Sequence, residues 1–312
     1  MNVFYNGSTG SLGQYFGASL TKLGIKGQAL HSRLEDRAAL VRELESTHQT
    51  VVPKGPVFLV QMAALVSVTA CEEYPSKAFK TNVSDTIETV RTFVRWARQF
   101  DATPVIVFVS TGHVYKEPLR WKPVTEDDEM APRSVYARTK LEAEERLKEL
   151  ADQLDIGLLI GRVFGLIGPR QPSHYVLPGL IRRVHTGALA NIPGLEYCRD
   201  YLDSRDVCDA LARLCTIAAF KTVQQGVVNI CSGKEVSIRR LVEEIIMAMK
   251  LDEKQKMVLS SLSAGPGRPD DIPWLVGNCT RFEELTGTKP QQISLAQTVQ
   301  AAVRESLQLP CP

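Results

Sequence analysis

The sequence predicts an α/β protein with a doubly wound parallel sheet, followed by a smaller C-terminal lobe. Short apolar runs alternate with segments of helical apolar spacing through the first two thirds of the 312 residues. A glycine-rich turn joins the first apolar run to the first helical segment, and a Tyr-x-x-x-Lys pair falls in a later helical segment. Because strands separated by helices are joined by crossover connections, they form a parallel sheet with helices on both faces.

The elements of the sheet follow one another in a regular order. The first strand is predicted at residues 2–5, where Val3, Phe4 and Tyr5 form a short apolar run, and the first helix at residues 12–24. The same two patterns predict strands near residues 27–31, 57–61, 104–109 and 156–161, and helices near residues 34–45, 82–100 and 134–154.

The alternation loosens beyond Gly165, where Pro and Gly residues interrupt the pattern around a helix near 175–187. It returns with a helix at 206–219 and a strand at 227–231. A helix capped by Ser237 and a closing helix near 293–307 then complete the chain. We therefore expect a dinucleotide-binding domain of residues 1–165 plus 204–232 and a substrate-binding lobe of residues 166–203 plus 233–312.

The composition excludes several classes of protein. A formal net charge of +2, without a basic stripe, does not favour a nucleic-acid partner. The longest apolar stretch, near residues 57–70, is too short to span a bilayer, and a strand that begins near Val3 leaves no room for a signal peptide. Seven cysteines without C-x-x-C spacing argue against a disulfide framework or a zinc site. We expect a reduced, cytoplasmic protein without a metal or a membrane partner.

The turn Gly7-Ser8-Thr9-Gly10-Ser11-Leu12-Gly13 lies where the first strand passes into the first helix. Glycines at such a junction allow backbone N–H groups to approach a pyrophosphate at the helix N-terminus, where the helix dipole favours anions. The context predicts a dinucleotide site.

Tyr136 and Lys140 are four residues apart in the helix predicted at 134–154, and residues i and i+4 share one helix face. A phenol with an ordinary pKa near ~10 exchanges protons poorly at neutral pH. A neighbouring cation lowers that pKa because it favours the phenolate. The pair predicts a tuned acid beside the ribose of a bound nicotinamide.

The end of the second strand indicates which dinucleotide binds. An acidic residue there commonly accepts hydrogen bonds from the adenosine ribose, whereas an arginine accommodates a 2′-phosphate. This chain has Arg33 at that point, so we expect NADP(H), with NAD(H) as the alternative if Arg33 caps a loop or stacks on adenine.

A hydroxyl group completes the predicted catalytic set. The fourth strand ends at Ser110 and Thr111, where a sugar substrate would lie at the carboxyl end of the sheet. Thr111 is the preferred candidate to bind a sugar oxygen while Tyr136 exchanges the proton. Ser110 competes, and since neighbouring side chains of a strand point to opposite faces, one of the two faces the cofactor.

Together these motifs resemble the extended short-chain dehydrogenase/reductases, Rossmann-type enzymes that act on nucleotide sugars. The resemblance includes Met62-Ala63-Ala64 after the third strand, Asn82-Val83, and the segment from Ser110 to Tyr115. Later segments around Arg199 and Arg268 look most like the GDP-4-keto-6-deoxymannose reductase subfamily. That likeness implies reduction of the C4 ketone of a 6-deoxy sugar by NADPH, in a homodimer formed through helices such as 82–100 and 134–154.

The resemblance implies a role for each matching residue. The expected catalytic residues are Thr111, Tyr136 and Lys140. The expected cofactor-binding residues are Gly7, Gly10, Ser11, Leu12, Gly13, Arg33, Ala63 and Lys140. The expected substrate-binding residues are His113, Gln171, Arg199 and Arg268, of which the two arginines would contact the nucleotide diphosphate, unless they are surface ion-pair partners.

Other activities of the same family stay open to different degrees. A 4,6-dehydratase would have an Asp-Glu pair where this chain has Gly112 and His113, which disfavours that activity. A bifunctional 3,5-epimerase/4-reductase needs a further acid and base, for which His113 and the offset His174 are candidates. A 4-epimerase with tightly held NAD is a third possibility. A non-catalytic NADP(H)-binding protein would usually lack Tyr136 or Lys140.

Overall fold

The computed structural model describes residues 1–48, 55–119, 121–220, 225–250, 262–267 and 271–308. The strands are β1 Asn2–Tyr5, β2 Lys26–Ala29, β3 Gly55–Gln61, β4 Ala102–Thr111, β5 Gly157–Val163, β6 Gly165–Ile167, β7 Ile192–Pro193, β8 Cys198–Arg199, β9 Tyr201–Asp203, β10 Gln225–Ile230, β11 Val236–Ser237, β12 Ala264–Gly265 and β13 Trp274–Leu275. The helices are α1 Gly13–Lys22, α2 Arg37–His48, α3 Val68–Glu73, α4 Pro75–Phe79, α5 Thr86–Arg98, α6 Val135–Leu154, α7 Val176–His185, α8 Ser204–Phe220, α9 Ile238–Met249, α10 Thr280–Thr286 and α11 Leu295–Gln308.

The main sheet has six parallel strands in the order β10-β5-β4-β3-β1-β2. Helices cover both of its faces, so the predicted doubly wound fold is confirmed. The strand order reverses between β1 and β3, because β2 lies on one side of β1 and every later strand of the sheet on the other. In such sheets ligands bind outside the carboxyl ends of the strands, at the point of reversal.

Side-chain alternation on β4 shows how the sheet divides the core. Val105, Val107 and Val109 pack into the cluster on one face, with residues of α1 and α8. Ile106 and Phe108 pack into the cluster on the other face, with residues of α2, α5 and α6. Both faces of a central parallel strand are buried, which is why β4 is an almost continuous apolar run rather than an alternating one.

Most predicted elements are present, and the differences lie at their ends. The helix expected at 82–100 is a π-helical turn, Lys80–Asp85, that continues into α5. The short helices α3 and α4 were not predicted, because six and five residues are too few to show helical periodicity. Single residues set where these helices begin: the Ser67 side chain caps α3, and Pro75 is the first residue of α4.

In the described part of the chain, every helix is too short or too polar to cross a membrane.

A further hydrophobic cluster, separate from the two clusters on the faces of the sheet, holds the C-terminal lobe together. It is built mainly from α7, α9 and α11, with Leu180, Leu241 and Val299 among its fully or nearly buried members. Three small sheets surround it: β11-β8-β13, β12-β7 and β6-β9. The lobe thus has a core of its own.

Asp200 joins the segments that cross between the sheet and the lobe. Its buried carboxylate accepts hydrogen bonds from the Ser232 backbone N–H and hydroxyl, both at 2.7 Å, and from the Gly233 N–H at 2.8 Å. It also accepts one from the Gly277 N–H at 3.3 Å. Burial raises the pKa of Asp200, and these hydrogen bonds oppose that rise because they favour the carboxylate. One carboxylate therefore fixes three chain segments against one another.

We expect Asp200→Asn to destabilise the protein by about 3 kcal/mol, because the amide NH₂ would face backbone donors that then lose their acceptor. Asp127→Asn is the matched control, since the Asp127 side chain is 79% exposed in an ion pair with Arg281 and should change stability by less than ~0.5 kcal/mol. Thermal unfolding of the three proteins measures the difference. Equal unfolding temperatures for Asp200→Asn and wild type would contradict the role of Asp200.

Candidate active site

The glycine turn has the tight geometry that its spacing predicts. Gly7 has a φ of +69°, and the Gly10 N–H donates to the Gly7 carbonyl at 2.9 Å. A Cβ on Gly13 would lie 2.1 Å from the same carbonyl oxygen, so no side chain fits there. These constraints bring the first turn of α1 directly against the end of β1.

Unpaired backbone donors mark this turn as an anion site. The N–H groups of Ser11 and Leu12 have no hydrogen-bond acceptor among the described residues, and Leu12 lies at the N-cap of α1, which no side chain caps. Free N–H groups at a helix N-terminus bind phosphate oxygens. The turn therefore fits the pyrophosphate of the dinucleotide that the sequence predicts.

Asn6 connects the glycine turn to the loop after β3. Its buried side-chain oxygen accepts hydrogen bonds from the N–H groups of Met62 and Ala63, both at 2.9 Å, and its amide donates to Gln61. A Cβ on Gly7 would lie 3.0 Å from the Ala63 nitrogen. Ala63 thus lies against the turn, at the crevice where the strand order reverses.

The end of β2 carries the residues expected to read the adenosine ribose. The Arg33 side chain is 86% exposed and lies 3.9 Å from Glu35, a distance at which an exposed pair holds it weakly. His31 contacts the Ser8 hydroxyl of the glycine turn at 3.2 Å. The Glu43 carboxylate of α2 accepts hydrogen bonds from the backbone N–H groups of His31 and Ser32. Arg33 is therefore available to a phosphate, on a loop that Glu43 holds.

Two side chains set the start of the helix that carries Tyr136. The Ser134 hydroxyl accepts a hydrogen bond from the Ala137 N–H at 3.2 Å and caps α6, and the Glu72 carboxylate accepts one from the Val135 N–H at 2.6 Å. Tyr136 lies in the first turn of α6 and Lys140 in the second. The Thr111 side chain, at the end of β4, lies close enough to the Tyr136 phenol to affect the pKa of that phenol.

Ser110 points away from Tyr136. Its hydroxyl donates a short hydrogen bond to the buried carboxylate of Glu144, on the face of the sheet that α6 covers. Thr111 is the residue in contact with Tyr136, as the strand parity suggests. The geometry therefore separates the two candidate hydroxyls: Thr111 lies at the site and Ser110 beneath it.

The expected tuning of Tyr136 by Lys140 is not what the structure shows. Burial raises the pKa of Tyr136, the nearby Tyr175 and Cys71 raise it further, and the Thr111 hydrogen bond opposes the rise. Burial also lowers the pKa of Lys140 to about 7, against the opposing effect of Glu144. The prediction was wrong for this state of the protein, because removal from water penalises the phenolate and the ammonium alike.

The lobe contributes a second group of charged residues. Arg199, which is 8% exposed, donates a short hydrogen bond to the Asp271 carboxylate in an ion pair. Burial first, and then the Arg199 charge, lower the pKa of His113 to about 4, while Asp271 opposes them. His113, Arg199 and Asp271 thus form one cluster. Arg199 is ion-paired, as in the alternative for that residue, but it is buried itself and its partner Asp271 is only 34% exposed.

Gln171 and His174 differ in exposure and in the contacts that they make. The Gln171 amide donates to the Leu166 carbonyl at 3.0 Å, while its buried oxygen has no hydrogen-bond partner among the described residues. His174 is exposed and stacks on Tyr175, and it is Tyr175 that approaches Tyr136. Arg268 lies outside the described residues.

Some residues of the site were missed because their signal is not local. The Asn82 side chain accepts from the Leu65 N–H at 2.7 Å and donates to the Thr139 hydroxyl at 3.0 Å, which ties the loop after β3 to α6. Glu144 and Arg162 form a buried ion pair below Ser110. The i+4 spacing of Glu144 from Lys140 was visible in the sequence, whereas its pairing with Arg162 was not. In the described ranges, no group of His, Cys, Asp and Glu side chains has the arrangement of a metal site.

Comparison with known proteins identifies a matching family and a similar curated protein. A family model described as the NAD dependent epimerase/dehydratase family matches residues 6–231. The GDP-6-deoxy-D-mannose reductase of Pseudomonas aeruginosa is 26% identical over 260 residues, which cover 81% of this chain and 81% of that protein.

Solved structures share the fold over almost the whole chain. The structure of RMD from Pseudomonas aeruginosa complexed with NADPH has a TM-score of 0.81 at 21% identity and covers 98% of both chains. The structure of UDP-glucose 4-epimerase with UDP-glucose from Thermotoga maritima has a TM-score of 0.80, also at 21% identity and 98% coverage of both chains.

We expect Gly13→Ala to abolish binding of the predicted dinucleotide, because a methyl group 2.1 Å from the Gly7 oxygen forces the turn apart. Gly179→Ala is the matched control: the nearest heavy atom to its Cβ would be 3.9 Å away, and alanine in a helix should stabilise the protein by up to ~1 kcal/mol. Fluorescence titration with NADPH measures binding. Full affinity in Gly13→Ala would show that the turn does not hold the dinucleotide.

Proposed function

Since the chain belongs to the NAD dependent epimerase/dehydratase family, we propose that it reduces the C4 ketone of a nucleotide-linked 4-keto-6-deoxy sugar with NADPH. The observation that carries this proposal is the contact between Tyr136 and Thr111 at the carboxyl end of β4, on the same edge of the sheet as the glycine turn. The similarity to a GDP-6-deoxy-D-mannose reductase supports this substrate class.

The cofactor we propose is NADP(H), with NAD(H) as the alternative. The glycine turn, with the free N–H groups of Ser11 and Leu12, fits the pyrophosphate, and Ala63 closes the crevice beside it. Arg33 is free to meet a 2′-phosphate. One protein of the same fold has been solved with NADPH, which supports the choice, while others have been solved with NAD.

The reaction follows from the placement of three side chains. The ketone carbon would take its hydride from the cofactor when NADPH is bound. Thr111 and Tyr136 would hold the ketone oxygen between their hydroxyls, and Tyr136 would donate its proton to that oxygen as it gains charge. A phenol whose pKa is raised by burial keeps its proton in the free enzyme, and it would give up that proton only as the ketone oxygen gains charge. Lys140 would hold the cofactor ribose.

The substrate's diphosphate would bind at the edge of the lobe. We propose Arg199 as its ligand, with His113 and Gln171 near the sugar, and we retain Arg268 from the sequence pattern. Arg199 is ion-paired with Asp271, so a diphosphate would have to share or displace that carboxylate. The oxygen of Gln171 suits a sugar hydroxyl, because it is a buried acceptor that has no donor among the described residues.

An epimerase, alone or combined with the reductase, is the second candidate. The likeness of the fold to UDP-glucose 4-epimerase favours it. Two positions weigh against a 3,5-epimerase: His174 is exposed, and His113, with its pKa lowered to about 4, is a weak base. Gly112 and His113 leave the dehydratase without its acid and base. A non-catalytic NADP(H)-binding protein is disfavoured, because this chain has both Tyr136 and Lys140.

We also propose two properties that the sequence predicts. The first is the division into a dinucleotide-binding domain, 1–165 plus 204–232, and a substrate-binding lobe, which the separate core of the lobe supports. The second is a cytoplasmic homodimer. Its location is inferred from the cysteine pattern, and its formation through α5 and α6 rests on the resemblance alone.

The proposed reaction can be tested with a panel of 4-keto-6-deoxy sugar nucleotides while the absorbance of NADPH is followed. We expect oxidation of NADPH with at least one of them. Tyr136→Phe should bind NADPH as wild type does yet turn over at least ~100-fold more slowly, the usual effect of a lost general acid. Tyr136→Phe with wild-type turnover would remove Tyr136 from the reaction, and no turnover by wild type with any ketone would refute the reductase.

The same incubation in heavy water separates reductase from epimerase. A reductase alone leaves C3 and C5 unlabelled, because Tyr136 delivers its proton to oxygen. Deuterium at C3 or C5 of the product would establish epimerisation and contradict a simple reductase.

Arg33→Ala should weaken NADPH binding by about tenfold or more and leave NADH binding unchanged, because a charge-assisted contact to the 2′-phosphate is lost. Arg239→Ala is the control, since Arg239 pairs with Glu196 in the lobe and should affect neither cofactor. Titration of each variant with both cofactors gives the ratio. An unchanged ratio in Arg33→Ala would mean that Arg33 does not contact the phosphate.

A further inference from the structure

Glu144 continues the row of functional groups on α6. It follows Lys140 by four residues, as Lys140 follows Tyr136, so the three side chains lie on one helix face. Lys140 is 2% exposed and Glu144 is fully buried. A carboxylate buried without water is costly unless it is paired, so its position beneath the active site needs a physical reason.

The carboxylate is held from the sheet by two residues. Arg162 of β5 donates from Nε and from Nη2, the latter at 2.7 Å, and Ser110 of β4 donates from its hydroxyl. Tyr115 stacks on the Arg162 guanidinium at 4.8 Å and fixes it from the other side. These contacts therefore fix the Glu144 carboxylate on the helix face that it shares with Lys140.

Lys140 and Glu144 lie against neighbouring positions of the same strand face. The Lys140 nitrogen is 4.0 Å from the centre of the Phe108 ring, and Glu144 contacts Ser110, two residues further along β4. No hydrogen bond from the Lys140 ammonium occurs within the described residues, so its three donors are free for a ligand. Glu144 is the charged group that raises the pKa of Lys140, against the effect of burial.

Other titratable groups around the site come from several elements and act on Tyr136 or on the ion pair rather than on Lys140. They are Cys71 of α3, Tyr115 after β4, Glu126 of the following loop, Arg162 of β5 and Tyr175 before α7.

We propose that Glu144 is a positioning residue of the active site: its fixed negative charge, one helical turn from Lys140, keeps Lys140 as the ammonium that binds the cofactor. This inference rests on the proposed function, because it assigns Lys140 the role of holding the ribose of NADPH. Arg162 and Ser110 act through Glu144, the first by balancing its charge and the second by orienting it. The buried ion pair thereby has a task other than stability, to which such pairs contribute little.

The test is the affinity for NADPH as a function of pH, measured by fluorescence titration between about pH 6 and pH 9 on wild type and variants. The ammonium form binds, so affinity falls as pH rises through the pKa of Lys140. Glu144→Gln removes the charge that favours the ammonium, so the fall moves to lower pH. We expect affinity about tenfold below wild type near pH 8 and close to wild type near pH 6, since one pH unit corresponds to a factor of ten.

Arg162→Gln should shift the profile in the same direction as Glu144→Gln. A buried carboxylate that loses its counter-ion takes up a proton, so Glu144 loses the charge that favours the ammonium of Lys140. The 2′-phosphate, which titrates near pH ~6, contributes equally in all variants. Glu145→Gln, at the exposed neighbouring position on α6, should give the wild-type profile.

The double variant Glu144→Gln/Arg162→Gln is the control for folding, because it leaves neither charge of the ion pair unpaired in the core. Because Arg162 has no resolved effect on Lys140, the double variant should shift as Glu144→Gln does. Profiles that coincide with wild type in folded variants would overturn the inference, and so would unfolding of both Glu144→Gln and the double variant. A wild-type protein without affinity for NADPH at any pH would instead refute the proposed function, and the inference with it.

Discussion

The parallel direction of all six strands is the constraint on which the site depends. Parallel strands end at one edge of the sheet, and the reversal of strand order between β1 and β3 opens a crevice at that edge. The glycine turn, the loop held by Asn6, the end of β2 and the end of β4 all meet there. Residues as distant in sequence as Gly7 and Thr111 therefore lie in one site, because both are at the carboxyl ends of parallel strands.

Burial governs the chemistry of that site more than any single charge does. It raises the pKa of Tyr136, lowers that of Lys140 to about 7 and lowers that of His113 to about 4, so burial favours the neutral form of each group. A bound dinucleotide brings the negative charge that such a site lacks, and the pair Tyr136 and Lys140 is therefore best understood together with its ligand. Beneath it, Glu144 is the negatively charged residue that acts on Lys140 within the described part of the chain.

Buried carboxylates join the lobe to the sheet, together with a small apolar cluster in which Ile272 and Leu275 pack with Tyr115 and Phe164. Asp200 accepts hydrogen bonds from the segments at Ser232 and Gly277, and Asp203 accepts one from Thr298 of α11. Asp206 accepts from the N–H groups of Gln292 and Ile293, just before the same helix. Such contacts are directional, so they fix the orientation of the lobe, and with it the position of Arg199 relative to Tyr136.

The sequence by itself determined the fold class, the order of strands and helices, the glycine turn and the helix face shared by Tyr136 and Lys140, because these depend on short-range periodicity and spacing. Strand parity alone also indicated that Ser110 and Thr111 face apart. Only the tertiary structure decided which hydroxyl meets Tyr136, that Asn6 and Asn82 brace the crevice, and that Glu144 pairs with Arg162. It also reversed the expected pKa of Tyr136. Those outcomes depend on burial and on contacts between residues tens of positions apart, which no local pattern records.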